Sequence, residues 1–186
     1  MARLLLDTEN VEPGSRNNLG QTPLLLAAES GSEEVARLLI DTYLVNPDHM
    51  DNRGRTPLLV AASKGDKAIV RLLLALGNVN PDHEDHFGRT PLSYAAEGIF
   101  FFPGEFVDTC NDNRKEHEAV VTMLLAVDSV DPYYKDRSGR TPLSYAAENG
   151  NGVLVKLLLD TGRVDPHCED VFGKNAAVIR DKQFTP

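Results

Sequence analysis

TPLSYAAE runs from Thr90 to Glu97 and returns, letter for letter, from Thr141 to Glu148. Two looser copies precede it, TPLLLAAE from Thr22 and TPLLVAAS from Thr56. The threonines at 22, 56 and 90 step by 34 and 34, and the step to 141 is 51, which is 34 plus 17. A 34-residue unit, interrupted once by 17 extra residues, is the reading this spacing supports. A fixed period of that length marks an array of stacked units.

Other series keep the same rhythm, irregularity included. Val-x-Pro recurs at Val11, Val45, Val79, Val130 and Val164, each two residues before Pro13, Pro47, Pro81, Pro132 or Pro166. Glycines fall at 20, 54, 88, 139 and 173. Apolar triplets recur as Leu4 to Leu6, Leu38 to Ile40, Leu72 to Leu74, Met123 to Leu125 and Leu157 to Leu159. Thr of TPL suits a helix N-cap, and the following Pro suits the first helical position, where no N–H is needed. Leu and the paired alanines then give an apolar face of small residues. After about two turns Gly or polar residues end this helix, as at Glu29-Ser30-Gly31. A second amphipathic helix follows, in EEVARLLI, KAIVRLLL, HEAVVTMLL and GVLVKLLL. Val-x-Pro begins an extended segment, and Asp-x-x-Gly-Arg makes a tight turn. Helices this short are marginal alone in water, so the units must share one core by stacking.

Paired helices, linking turns and the signature G-[RK]-T-P-L-x-x-A-A resemble ankyrin repeats over almost the whole chain. The D-x-x-G-R-T-P-L-S-x-A-A-E style is similar to arrays abundant in filamentous fungi. The fold this implies is an all-α ankyrin-repeat solenoid, with helix–turn–helix units linked by short β-hairpin-like turns. It would be a single domain over 1–186, with a half repeat at 1–11. Full repeats would follow at 12–45, 46–79, 80–130 (carrying an insertion at 98–114) and 131–164, and a half repeat at 165–186. The family pattern usually has His after TPL; Leu25, Leu59, Ser93 and Ser144 stand there instead, removing a familiar bond between units. Asn175 replaces Thr in the last, decayed copy, and Asn175 to Arg180 reads as a first helix without its second. Ala2 to Thr8 reads as a second helix without its first, so the chain is either part of a longer array or has a covered or frayed first helix.

The totals narrow the function classes. Net charge is −9, from 19 Lys and Arg against 28 Asp and Glu, which disfavours nucleic acid as a partner. No apolar run approaches a bilayer span, so no membrane association is expected. Two cysteines, Cys110 and Cys168, form no CxxC pair, which fits a reducing, intracellular setting, cytoplasmic or nuclear. No catalytic motif is present. His83, His86 and their acidic neighbours, with His49 one unit earlier, form the densest set of metal-ligand types, but Tyr134 and Cys168 fill the later equivalents. The expectation is therefore no metal, no cofactor and no enzyme, with a metal-dependent activity at His83 and His86 as a remote alternative.

The insertion, GIFFFPGEFVDTCNDNR from Gly98 to Arg114, holds four of the seven phenylalanines. Phe100, Phe101 and Phe102 either pack on neighbouring units or form an aromatic patch for a partner. NDNRKEHE, Asn111 to Glu118, then reads as a solvated return to the second helix. Arg55, Arg89, Arg140 and Lys174 follow the turn glycines, and Glu29, Glu97 and Glu148 end first helices, with Ser63 the exception. These charges could bridge neighbouring units or face a charged partner.

Side chains that vary on a constant scaffold point to the binding surface. The turn tips are Asn18-Leu19, Asn52-Arg53, His86-Phe87, Arg137-Ser138 and Val171-Phe172. The family resemblance implies that such tips contact a partner protein together with the ends of the first helices. Those ends are Glu29, Ser30, Ser63, Lys64, Glu97, Glu148 and Asn149. Phe87 and Phe172 either serve that purpose or pack sideways on adjacent turns. The function expected is a protein-binding scaffold, its partner another protein, with further ankyrin repeats or domains of a longer parent chain possible. A stand-alone inhibitor or regulator of an enzyme is the alternative.

Overall fold

A computed structural model describes residues 13–43, 45–98 and 112–175. Its helices are α1 (Pro23–Ser30), α2 (Glu33–Tyr43), α3 (Pro57–Lys64), α4 (Lys67–Leu74), α5 (Pro91–Glu97), α6 (Asp112–Leu125), α7 (Pro142–Glu148) and α8 (Gly152–Asp160). Each TPL opens a helix for a local reason. The hydroxyls of Thr22, Thr56, Thr90 and Thr141 accept from the N–H groups of Leu25, Leu59, Ser93 and Ser144, all at 3.3 Å. Pro occupies the first turn every time. Ser144 answers the cap, its Oγ accepting from the Thr141 N–H at 3.0 Å, which pairs two otherwise orphaned donors.

The helices form two layers. α1, α3, α5 and α7 pack in sequence along one layer, α2, α4, α6 and α8 along the other, and each unit's own pair joins the layers. The first layer buries a Leu-Ala-Ala triad in every unit: Leu24, Ala27 and Ala28; Leu58, Ala61 and Ala62; Leu92, Ala95 and Ala96; Leu143, Ala146 and Ala147. Methyl side chains let the backbones of adjacent helices approach closely. Larger residues of the second layer, such as Leu39, Ile69, Leu73, Val121, Leu124 and Leu158, complete one continuous core. Each fully buried Leu or Ile contributes about 1.5–3 kcal/mol, and nearly all of that comes from contact with another helix. No helix of eight residues would hold its shape without it.

The turns stack as the helices do. Within each, an Asp closes the loop: Asp51, Asp85, Asp136 and Asp170 accept, through Oδ1, the N–H groups two and four residues on. Asn17 does the same for Leu19 and Gln21. Successive turns are then joined by one backbone bond each. Asn52 N–H donates to Leu19 O, His86 to Arg53 O, Arg137 to Phe87 O and Val171 to Ser138 O, at 2.9–3.0 Å. Among the described residues the only β pairing is an isolated antiparallel bridge, Glu169 to Asn175. Gly88 shows why the turn column is glycine: its φ is 75°, and a Cβ there would lie 2.9 Å from Arg137 N, the atom that links the two turns.

The third unit departs from its neighbours. His117 stands in the column of Ser32, Asp66 and Asn151, immediately before the second helix of each other unit. Asp66 and Asn151 cap α4 and α8. α6 starts before this column, at Asp112, so six residues (112–117) extend it by about 9 Å. The second helix thus begins at Asp112, ahead of the expected HEAVVTMLL; Arg114 and Lys115 are solvated as expected, but His117 is 1% exposed, its Nε2 3.1 Å from the Ser63 carbonyl oxygen. Room created by the longer chain lets the helix continue through the cap position, and the imidazole fills the space beside the end of α3. The half repeat at 1–11, Phe100, Phe101, Phe102 and the expected helix beyond Asn175 lie outside the described residues.

Candidate functional site

The turns are pinned at base and side, and most of their tip side chains are exposed. Asn18, Leu19, Asn52, Arg53, His86, Phe87 and Arg137 are exposed, and Ser138 is half-buried. Phe87 is 64% and Phe172 75% exposed. Both side chains keep most of their surface in solvent. The tips are brought into one row by the turn-to-turn backbone bonds, reinforced at one end by Asn52 Nδ2 donating to Asn18 O at 3.1 Å.

The first-helix ends behave differently from one another. Lys64 and Glu148 are exposed, and Glu29, Glu97 and Asn149 are half-buried. Ser63 is buried, its hydroxyl donating to Val60 O at 2.8 Å and its carbonyl against His117. It offers no side chain to solvent and drops out of the candidate surface.

The ion pairs described for the charged columns stay within one unit. Arg89 pairs with Glu97 and Arg140 with Glu148, each inside one repeat. Arg55, whose repeat has Ser63 where the others have Glu, turns to Asp51 at 2.7 Å. The tyrosines of the octapeptide set this choice. Tyr94 OH donates to Asp85 Oδ2 at 2.7 Å and Tyr145 OH to Asp136 Oδ2 at 2.5 Å. That leaves the following arginines to their glutamates. Where Val60 replaces Tyr, Asp51 Oδ2 is open to Arg55.

What crosses the unit boundary is stacking. The Arg89 guanidinium lies 3.9 Å from the Tyr94 ring centroid and 4.5 Å from that of Tyr145. The Arg140 guanidinium lies 4.0 Å from the same Tyr145 ring centroid. The identical octapeptides thus build one aromatic–cation column. Burial, then the bond to an Asp carboxylate, raises both phenol pKa values, so the hydroxyls stay donors at neutral pH. Asn149 adds a direct bond between units, Nδ2 to Glu97 O at 2.5 Å.

The histidines read as metal-ligand types are used otherwise. His83 Nε2 lies 2.9 Å from the Met50 sulfur of the preceding unit, and His86 is exposed at its tip. Among the described residues no three His, Cys, Asp or Glu side chains converge. Nor is any described helix long and apolar enough to cross a membrane. Sequence reasoning missed the buried His117 against the end of α3. The available signal was a histidine standing in a column of capping residues.

Family models agree with this architecture. One describing three ankyrin repeats matches residues 1–85 and 42–100, and one describing many ankyrin repeats matches 124–179. The first model's match ends at residue 100, inside the inserted segment, and the second begins at 124, beyond it.

Proposed function

Since this chain belongs to the ankyrin-repeat family, whose repeats are generally protein–protein interaction modules, we propose that it is a scaffold that holds a partner protein across its turn tips and first-helix ends. The observation that carries this reading is the contrast within each turn. Backbone and Asp are fully engaged, while the tip side chains, Phe87 and Phe172 above all, project into solvent. Large apolar side chains contribute nothing to folding from such positions, and aromatic residues are frequent binding anchors. Arg53 and Arg137, exposed in the same row, add cations to a ridge that also carries Asn18, Asn52 and His86.

The test uses the whole chain as bait, wild type against Phe87→Ala/Phe172→Ala. The two proteins should melt together, because exposed truncations change stability by under about 0.5 kcal/mol. A protein retained by the wild type should be lost or much reduced on the double variant. Undiminished retention, or a large loss of melting temperature, would refute the reading.

A further inference from the structure

The tips alternate in chemistry from one turn to the next. Asn18-Leu19, His86-Phe87 and Val171-Phe172 each carry a large apolar side chain, with Leu19 63%, Phe87 64% and Phe172 75% exposed. The two turns between them, Asn52-Arg53 and Arg137-Ser138, each carry an exposed arginine. Apolar, cationic, apolar, cationic, apolar is the order along the row that the turn-to-turn backbone bonds join.

The two cations are uncommitted. Neither the Arg53 nor the Arg137 side chain has a carboxylate partner among the described residues, whereas Arg55, Arg89 and Arg140, which follow the turn glycines, are each paired. No tip residue is acidic. Beneath the tips, Asp51, Asp85 and Asp136 are buried, their oxygens turned to backbone N–H groups and to Arg55, Tyr94 and Tyr145. The exposed column just ahead of the turn aspartates sets Arg16 and Lys135 against Glu84 and Glu169 and so adds no net charge.

Spacing narrows what can meet this order. Helices packed side by side lie about 8–10 Å apart, so one step along the stacked turns is of that length. An α-helix returns to nearly the same face after seven residues, having risen about 10.5 Å. An extended strand covers the distance in about three residues and arrives with its side chain on the opposite face. We propose that the row receives an amphipathic helix of a partner protein, laid along the tips, with apolar residues two heptads apart and a carboxylate in the heptad between. The proposal rests on the scaffold reading and names the chemistry of the partner. A nucleic-acid strand carries a charge about every 3.4 Å, whereas these cations stand two turns apart, with apolar side chains between them that a phosphate backbone cannot use.

The full chain, isotopically labelled, is titrated with a helical, Ala-based peptide of about 30 residues that carries Leu at two-heptad intervals and Glu midway. Two counterparts replace each Glu by Gln or move it to the opposite face of the helix, and a thymidine oligonucleotide is the fourth ligand. The Glu peptide should move the amide resonances of Arg53, Phe87 and Arg137. Arg53→Glu combined with Arg137→Glu should weaken its binding roughly tenfold, while Lys156→Glu, exposed on α8 in the other layer, leaves it unchanged. Spectra of the free variants establish that each is folded. No shift at these amides, equal binding of either control peptide, or a preference for the oligonucleotide would overturn the proposal. A partner protein lost on Phe87→Ala/Phe172→Ala but kept on Arg53→Glu/Arg137→Glu would overturn it too, and would leave the scaffold reading intact.

Discussion

Two aspartates show how much one oxygen atom decides. Burial resists ionisation of Asp51, but the Arg55 and Arg53 N–H groups and the Arg55 guanidinium outweigh it, holding the pKa below the ordinary 3.8. A carboxyl depressed in the folded state contributes stability above its unfolded pKa, and that contribution is lost as pH falls through the folded value. Asp82 is the reverse. Burial raises its pKa, helped by the Asp131 charge and opposed by the Asp131 N–H and by Arg163, and its Oδ1 is buried with no partner. Its charge is a burden at neutral pH that acid relieves. Asp51→Asn should therefore lower the urea midpoint at neutral pH, at a cost of about 1–2 kcal/mol, and blunt the loss of stability below pH of about 4. Asp82→Asn should leave the midpoint level or raise it, by less than about 1 kcal/mol since the site is partly solvated. Denaturation curves at a series of pH values check both signs. Asp51 could be identified from the sequence as a turn residue. The preference of Arg55 for it could not, because that depends jointly on Val60 and Ser63, each in a different column of the repeat.

At the level of the element, α6 is the informative case. The caps, the turn glycines and the Leu-Ala-Ala faces were legible because each position has one local role, repeated in every unit. NDNRKEHE was not, because a run of polar residues reads alike as solvated loop or as the exposed side of a helix. What decided between them was tertiary: Lys67 and the Ser63 carbonyl, both in another repeat, receive Glu116 and His117. Among the candidate site residues the exposure of the tips was legible, since the turn does not dictate those side chains, whereas burial of Ser63 was not, since the helix lying over it belongs to the next unit. His117→Ala should destabilise the chain by roughly 1–3 kcal/mol, by leaving the Ser63 carbonyl without its imidazole and opening a void beside α3. Thermal unfolding measures this, and a change under about 0.5 kcal/mol would show that α6 does not depend on that side chain.

Over the whole molecule, stability is shared between neighbours rather than lodged in any unit. α4 buries Ile69, Val70 and Leu73, whereas α8 buries Leu154 and Leu158 and leaves Val153 53% and Leu159 37% exposed. Opening should begin at α8. Amide hydrogen exchange should be at least about tenfold faster in α8 than in α4, and uniform protection across both helices would contradict it. The lengthened α6 has one more effect. A strictly periodic ridge is degenerate: a bound molecule displaced by one repeat meets nearly the same landscape, so it can slide, and its alignment is poorly defined. An extension of six helical residues, present in one repeat alone among the helices described, breaks that translational symmetry and gives anything lying along the array a fixed origin from which its position is counted.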